Sequence, residues 1–250
     1  MINQLTKSKL WLTLALTTTV SIASASAASY TESTVTNGGT ITGKVSFSGT
    51  DPDPVSYSVA KDIATCGSSQ RILDFVRVKN GGLNDAVVYL ANVKSGKAFP
   101  TLNGNLEQKG CKFLPYLSVM HNNDSVDAVN SDPVMHNIHT YELISAGNKF
   151  AKKTAFNVSQ PKIGTVTKTI DMKRGNGMKV ECDAHDFMHA FVFVAKNPYY
   201  AVVKQDGTFS IDNVPPGDYK IMAWHGTLGE EKGNVTVTES GNVSFNFEYK

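Results

Sequence analysis

Charge is scarce and balanced in this chain of 250 residues: 18% are charged, with 24 Lys and Arg against 22 Asp and Glu. Two of the basic residues, Lys7 and Lys9, fall within the first 27 positions, which hold no acidic residue. Beyond them the signs balance at 22 each, so no basic stripe is available for a nucleic-acid backbone or an anionic membrane surface. No nucleic-acid partner is expected. Long apolar runs are also missing. The best candidate, Leu10 to Ile22, is about 13 residues where a bilayer-spanning helix needs roughly 20, so no membrane span is expected. No window carries a capped apolar repeat at the 3.6-residue helical period, which argues against a helical architecture. Cysteine is reduced to three, Cys66, Cys111 and Cys182, enough for one disulfide with one thiol left over. With 41% apolar residues, the chain is nevertheless too apolar to be disordered.

What is present first gives an address. Residues 1–27 read as a secretory signal, with Lys7 and Lys9 as the positive region and Leu10 to Ala23 as the apolar stretch. Ala25-Ser26-Ala27 supplies the small-residue cleavage site. The expected location is therefore periplasmic or secreted, where disulfides form and a leftover thiol is a liability unless a metal occupies it. A polar Ser/Thr-rich linker, 28–37, follows.

The rest reads as short strands separated by turns. Val243, Phe245, Phe247 and Tyr249 alternate with polar residues, the period-two pattern of a half-buried strand. Ala86 to Leu90 and Phe191 to Val194 are continuous apolar runs of fully buried strands. Asp206-Gly207, Pro215-Pro216-Gly217 and Gly241-Asn242 are turn signals. The fold class is all-β, organised as sandwiches. Gly39 to Val45 and Gly82 to Leu90, together with Asp206 to Tyr219 (DGTFSIDNVPPGDY), resemble the opening and closing strands of the carboxypeptidase regulatory-like domain. That resemblance implies a small transthyretin-like β-sandwich split into 38–103 and 198–250, with a second domain at 104–197 inserted between the halves.

The inserted block carries the chemistry. Cys182, His185 and Met188 form Cys-x2-His-x2-Met between two strands, and His136-Asn137-Ile138-His139 lies 46 residues before the cysteine. A thiolate, two imidazoles and a weak thioether are a donor set suited to copper and electron transfer, whereas structural zinc sites seldom use methionine. His136 and His139 are both candidates for the first imidazole, with the period of two expected to put both on one strand face. At these residues the chain resembles the cupredoxins, most closely amicyanin, over about Cys111 to Ala195; as a whole it resembles exported bacterial proteins labelled methylamine-utilisation proteins. The resemblance implies a Greek-key sandwich holding one type 1 copper ion. It implies His136, Cys182, His185 and Met188 as ligands, and Asn137 as the residue tying the two ligand loops together. The cupredoxin proline after the second histidine is Asp186 here.

With Cys182 assigned to the metal, Cys66 and Cys111 are left to pair. Phe187, His189 and Phe191, with the edge of His185, are expected to form an apolar rim for partner docking. The implied function is single-electron carriage between redox partner proteins, not catalysis. Multicopper oxidases and nitrite reductases need further histidine ligands, typically with one beside the cysteine, and Glu181 and Asp183 stand there. The alternative is a module that holds or delivers copper without redox work, or a metal-free one, binding glycan or protein through the transthyretin-like sandwich.

Overall fold

A computed structural model describes residues 30–250 except 68, 103, 147 and 148; the expected signal, 1–27, and the first two linker residues lie outside the described residues. Among the described residues the single α-helix is one turn, Ile63–Cys66, and the rest of the regular structure is strand. The chain is all-β.

Two sandwiches account for most of it. In the outer one, Gly39–Phe47 pairs antiparallel with Thr208–Val214 and parallel with Asn242–Ser244 and Phe247–Tyr249. The facing sheet runs Tyr200–Val202, Ala86–Ala91, Gly217–His225, Gly229–Val237. Strands before residue 92 and after residue 199 thus share one core, around Ile41, Val45, Leu90, Ile221 and Phe247. Two expected strands are interrupted. Asp85 adopts a left-handed φ of 55° and divides Gly82–Leu83 from Ala86–Ala91. Phe245 and Asn246 leave the ladder between the last two strands, and the Asn246 side chain takes the Lys44 N–H at 2.9 Å.

The inserted sandwich has a four-stranded sheet, Phe113–Leu114, Asn105–Gln108, Ser125–Asn130, Gly164–Thr169, and a five-stranded one, Leu117–His121, His185–Ala195, Gly177–Cys182, His136–Ala146, Lys149–Gln160. Alternate residues of the inner strands (Ile138, Val180, Met188, Val192) fill the space between the sheets. A third apolar cluster joins the sandwiches: Val87, Tyr89 and Trp224 from one meet Leu143, Phe191 and Phe193 from the other. Burying a side chain such as Phe193 contributes about 1.5–3 kcal/mol. Gly177 permits the approach, since a Cβ there would run into the Trp224 indole.

One segment departs from the expected partition. The hairpin of Val55–Ser58 with Gln70–Leu73 and the turn Ile63–Cys66 belong by sequence to the outer sandwich. Val59 and Cys66 instead pack into the core of the inserted one, with Tyr57 against it. This excursion covers one end of that core, the end where the ligand candidates lie.

Candidate metal centre

Three strand ends build the site. His136 opens its strand, Cys182 closes Gly177–Cys182, and His185 opens the next after the two-residue turn Asp183-Ala184. The register shifts between Glu181 and Cys182, which sets Cys182 opposite His185. All three side chains are buried, and their donor atoms lie within 4.8 Å of one another. The Nδ1 atoms of His136 and His185 are 3.2 Å apart, and Cys182 Sγ is 3.8 Å from His185 Nδ1. Met188 is buried in the same core cluster as Cys182.

The polar surroundings prepare the donors. His136 Nε2 faces Asp132 Oδ2 at 2.8 Å, and His185 Nε2 faces Asp62 Oδ2 at 2.9 Å. A ring that donates Nε2–H to its carboxylate presents Nδ1 as an acceptor, the tautomer in which Nδ1 can bind an ion. Asp132 also accepts the N–H groups of Gly110 and Cys111, each at 2.8 Å. Burial pushes the Asp132 carboxyl up, but those amides and His136 outweigh it and hold it below the usual carboxylate range. Burial lowers the His185 pKa against the opposing pull of Asp62, which disfavours the imidazolium. Burial likewise raises the Cys182 thiol, although the N–H groups of Asn137, Ala184 and His185 favour its thiolate.

A cation fits this arrangement. Two bare lone pairs 3.2 Å apart repel each other unless a proton or an ion lies between them. An ion with bonds of about 2.0 Å to nitrogen and about 2.3 Å to sulfur holds such donors roughly 3.3 to 3.7 Å apart at angles between tetrahedral and trigonal. The observed 3.2 and 3.8 Å fall within about 0.1 Å of that range.

The other expected residues are placed as follows. Asn137 links the two loops: its N–H donates to Cys182 Sγ at 3.3 Å and its Oδ1 accepts the Asp183 N–H at 3.1 Å. His139 stands apart from the site, bonded to Asp183 at 3.0 Å and to Thr154 at 3.2 Å. The shared-face reading of His136 and His139 is thereby corrected, because residues three apart on a strand point to opposite sides. Cys66 and Cys111 form the disulfide, with Cα atoms 5.0 Å apart. Its sulfurs lie within 4.8 Å of a ring nitrogen of His185, and that of Cys111 also within 4.8 Å of donor atoms of His136 and Asp132.

The rim needs correction as well. Phe187 and Phe191 are buried, and His189 packs against Tyr57 and Phe75 at ring distances of 5.5 and 5.3 Å. Arg71 of the excursion lies over Phe187, Tyr57 and Phe75 cover His189, and Trp224 and Tyr116 cover Phe191. His185 is itself only 1% exposed. Arg71 secures the cover, donating to the carbonyls of Cys66 at 2.7 Å and Cys111 at 2.9 Å and lying over the Phe187 ring at 5.2 Å. Asp186 is exposed, and the carboxylate on His185 comes from Asp62, more than 120 residues upstream, which no local signal identifies. Asp132 lies in Asn130-Ser131-Asp132-Pro133, a run of turn formers just before His136.

Fold and site together define a β-sandwich with a buried two-histidine, one-cysteine donor set at one end. A family profile described as polysaccharide lyase family 4, domain II, matches residues 182–245, about a quarter of the chain, and is not the carboxypeptidase regulatory-like family expected for the outer sandwich. No curated protein matches. Among solved structures, the chain is similar to a reduced-state amicyanin mutant at 19% identity, covering 36% of this chain and 80% of that one, TM-score 0.28. It is similar to a purple cupredoxin from Nitrosopumilus maritimus at 18% identity, covering 37% and 99%, TM-score 0.29. It is also similar to a copper-containing nitrite reductase from Thermus scotoductus SA-01 at 17% identity and TM-score 0.28, covering 40% of this chain but only 24% of that protein.

Proposed function

We propose that the protein would hold one copper ion at His136, Cys182 and His185, with the Met188 thioether as a weak fourth donor, and would pass single electrons between partner proteins outside the cytoplasm. The observation that carries this reading is the convergence of the three donor atoms within 4.8 Å, with the two Nδ1 atoms 3.2 Å apart. Bound there, copper supplies a centre that cycles between Cu(I) and Cu(II). The chain's own residues do the rest. Cys182 gives up its thiol proton when the site fills. Asp62 and Asp132 keep the Nε2 protons in place and fix both ring orientations. Donors anchored at strand ends move little between oxidation states, which keeps reorganisation small. The disulfide and the Arg71 clamp exclude water. Nothing in the set requires a bound substrate, so the protein is read as a carrier and not an enzyme.

In place of the covered rim, Ile63 and Met135 offer apolar contact to a redox partner. They are 56% and 46% exposed and directly adjoin Asp62 and His136. A second reading, copper holding or delivery without redox work, is favoured by the cap: His185 has no exposed edge through which an electron could leave directly. Absorption and paramagnetic resonance of copper-loaded protein test the first reading. An intense cysteine-to-copper band is expected, lost in Cys182→Ser, with reversible voltammetry. A colourless copper-loaded protein rejects the type 1 assignment; a coloured one without reversible reduction leaves only the holding role.

A further inference from the structure

Where the excursion meets both sandwiches there is a cavity of about 440 Å³, within the roughly 300–1,000 Å³ of small-ligand sites. Its walls are aromatic. Tyr57 and Phe75 come from the excursion and the chain just after it, and Phe150 and Phe191 from the inserted sandwich, the last two packed on Trp224 at ring distances of 6.3 and 6.2 Å. Three lysines, Lys149, Lys152 and Lys179, also line it. Lys152 and Lys179 share one carboxylate, Glu181, at 3.2 and 2.5 Å, and Asp53 is the one acidic lining residue. Three ammonium groups against two carboxylates leave the cavity net positive. Lys179 lies over the Phe75 ring at 5.9 Å, and burial pulls its pKa down, so its charge is short of solvent and gains from a second anion.

We infer that this cavity is a binding site for a small aromatic carboxylate, its ring held between the aromatic walls and its carboxylate among the three lysines. Charge complementarity and wall chemistry both select this class: a bare anion would waste the aromatic surface, and a neutral arene would leave the excess positive charge unmet. The site is separate from the metal donors and does not depend on copper. His189, one residue beyond Met188, touches both Tyr57 and Phe75, which puts an occupant one side-chain layer from the ligand loop.

Isothermal titration of the protein with 2-naphthoate tests the assignment, with 2-naphthamide and acetate as the neutral and ring-free probes. One-to-one saturation by 2-naphthoate is expected, with both comparison probes at least tenfold weaker. Lys149→Glu, an exposed change on the cavity rim, should weaken 2-naphthoate at least tenfold, while Lys162→Glu, an equal charge change at a remote turn, should not. Absence of saturation overturns the inference. So does equal affinity for the amide or for acetate, or equal loss in both lysine variants. Circular dichroism of Lys149→Glu identifies a folding defect, in which case Lys152→Gln takes its place.

Discussion

Asp62→Asn isolates the most unexpected feature of the centre, a carboxylate delivered from the outer sandwich's excursion onto His185, one of the proposed ligands. The change removes one charge and little else. Asp62 has a left-handed φ of 52°, which asparagine tolerates, and its backbone carbonyl goes on accepting the Thr65 and Cys66 N–H groups. Its carboxylate sits 2.9 Å from His185 Nε2, which places it about 6–7 Å from an ion bonded at Nδ1, given metal–nitrogen bonds of about 2.0 Å. At an effective dielectric of about 20, one unit charge at that distance favours the extra positive charge of Cu(II) by about 2.5 kcal/mol. Asp62 is 37% exposed, so solvent screening reduces this to about 1–2 kcal/mol, or roughly 50–100 mV for one electron. The variant should therefore show a higher reduction potential and a Cu(II) affinity about 10–100-fold weaker, with Cu(I) affinity less affected. Voltammetry and competition titration against a chelator of known affinity read both. Unchanged potential and affinity would falsify the view that Asp62 acts on the metal through His185.

Four further outcomes follow from the same geometry. His136→Ala should abolish tight copper binding while His139→Ala leaves it intact, since His139 bonds Asp183 and Thr154 instead; equal losses in a metal titration would overturn the assignment. Removing the disulfide by Cys66→Ser with Cys111→Ser opens a loop of sequence separation 45 and should cost about 2–4 kcal/mol in urea denaturation, with weaker copper retention as the cap loosens. His225, 2% exposed and accepting the Thr227 and Leu228 N–H groups, has its pKa lowered to about 4 by burial, with Arg77 adding to it. The unfolded chain protonates this residue near pH 6.5 and the native one does not, so its contribution to stability should fall by about 3 kcal/mol as pH drops from 6.5 to 4, and not above 6.5. His225→Asn should flatten that window relative to wild type; parallel denaturation curves would count against it. Gly177→Val drives side-chain atoms into Trp224 and should destabilise the junction of the sandwiches by about 1–3 kcal/mol or more, measured as a lower Tm; an unchanged Tm would mean that the contact yields freely.

Much of the architecture was legible along the chain because strand burial is a local, period-two property. Ala86 to Leu90 and Phe191 to Val194 announce buried strands through their own apolar atoms, and turn dipeptides mark where chain reversals occur. The proposed donors His136, Cys182 and His185 were legible as residue types because a metal needs particular atoms at close spacing, and the structure brings those three together at strand ends. Two readings went astray where the pattern was applied loosely. His136 and His139 do not share a face at a spacing of three, and the rim that the cupredoxin resemblance implies at Phe187, His189 and Phe191 is buried here.

The amino-acid order by itself determined the all-β character and the donor residues available to the site, since both follow from side-chain chemistry at short spacing. Tertiary structure alone decided what surrounds those donors. Asp62, the Cys66–Cys111 bridge, the Arg71 clamp and the aromatic cavity come from segments far apart along the chain. Their juxtaposition arises from burial against two different cores, and that packing leaves no trace in local periodicity.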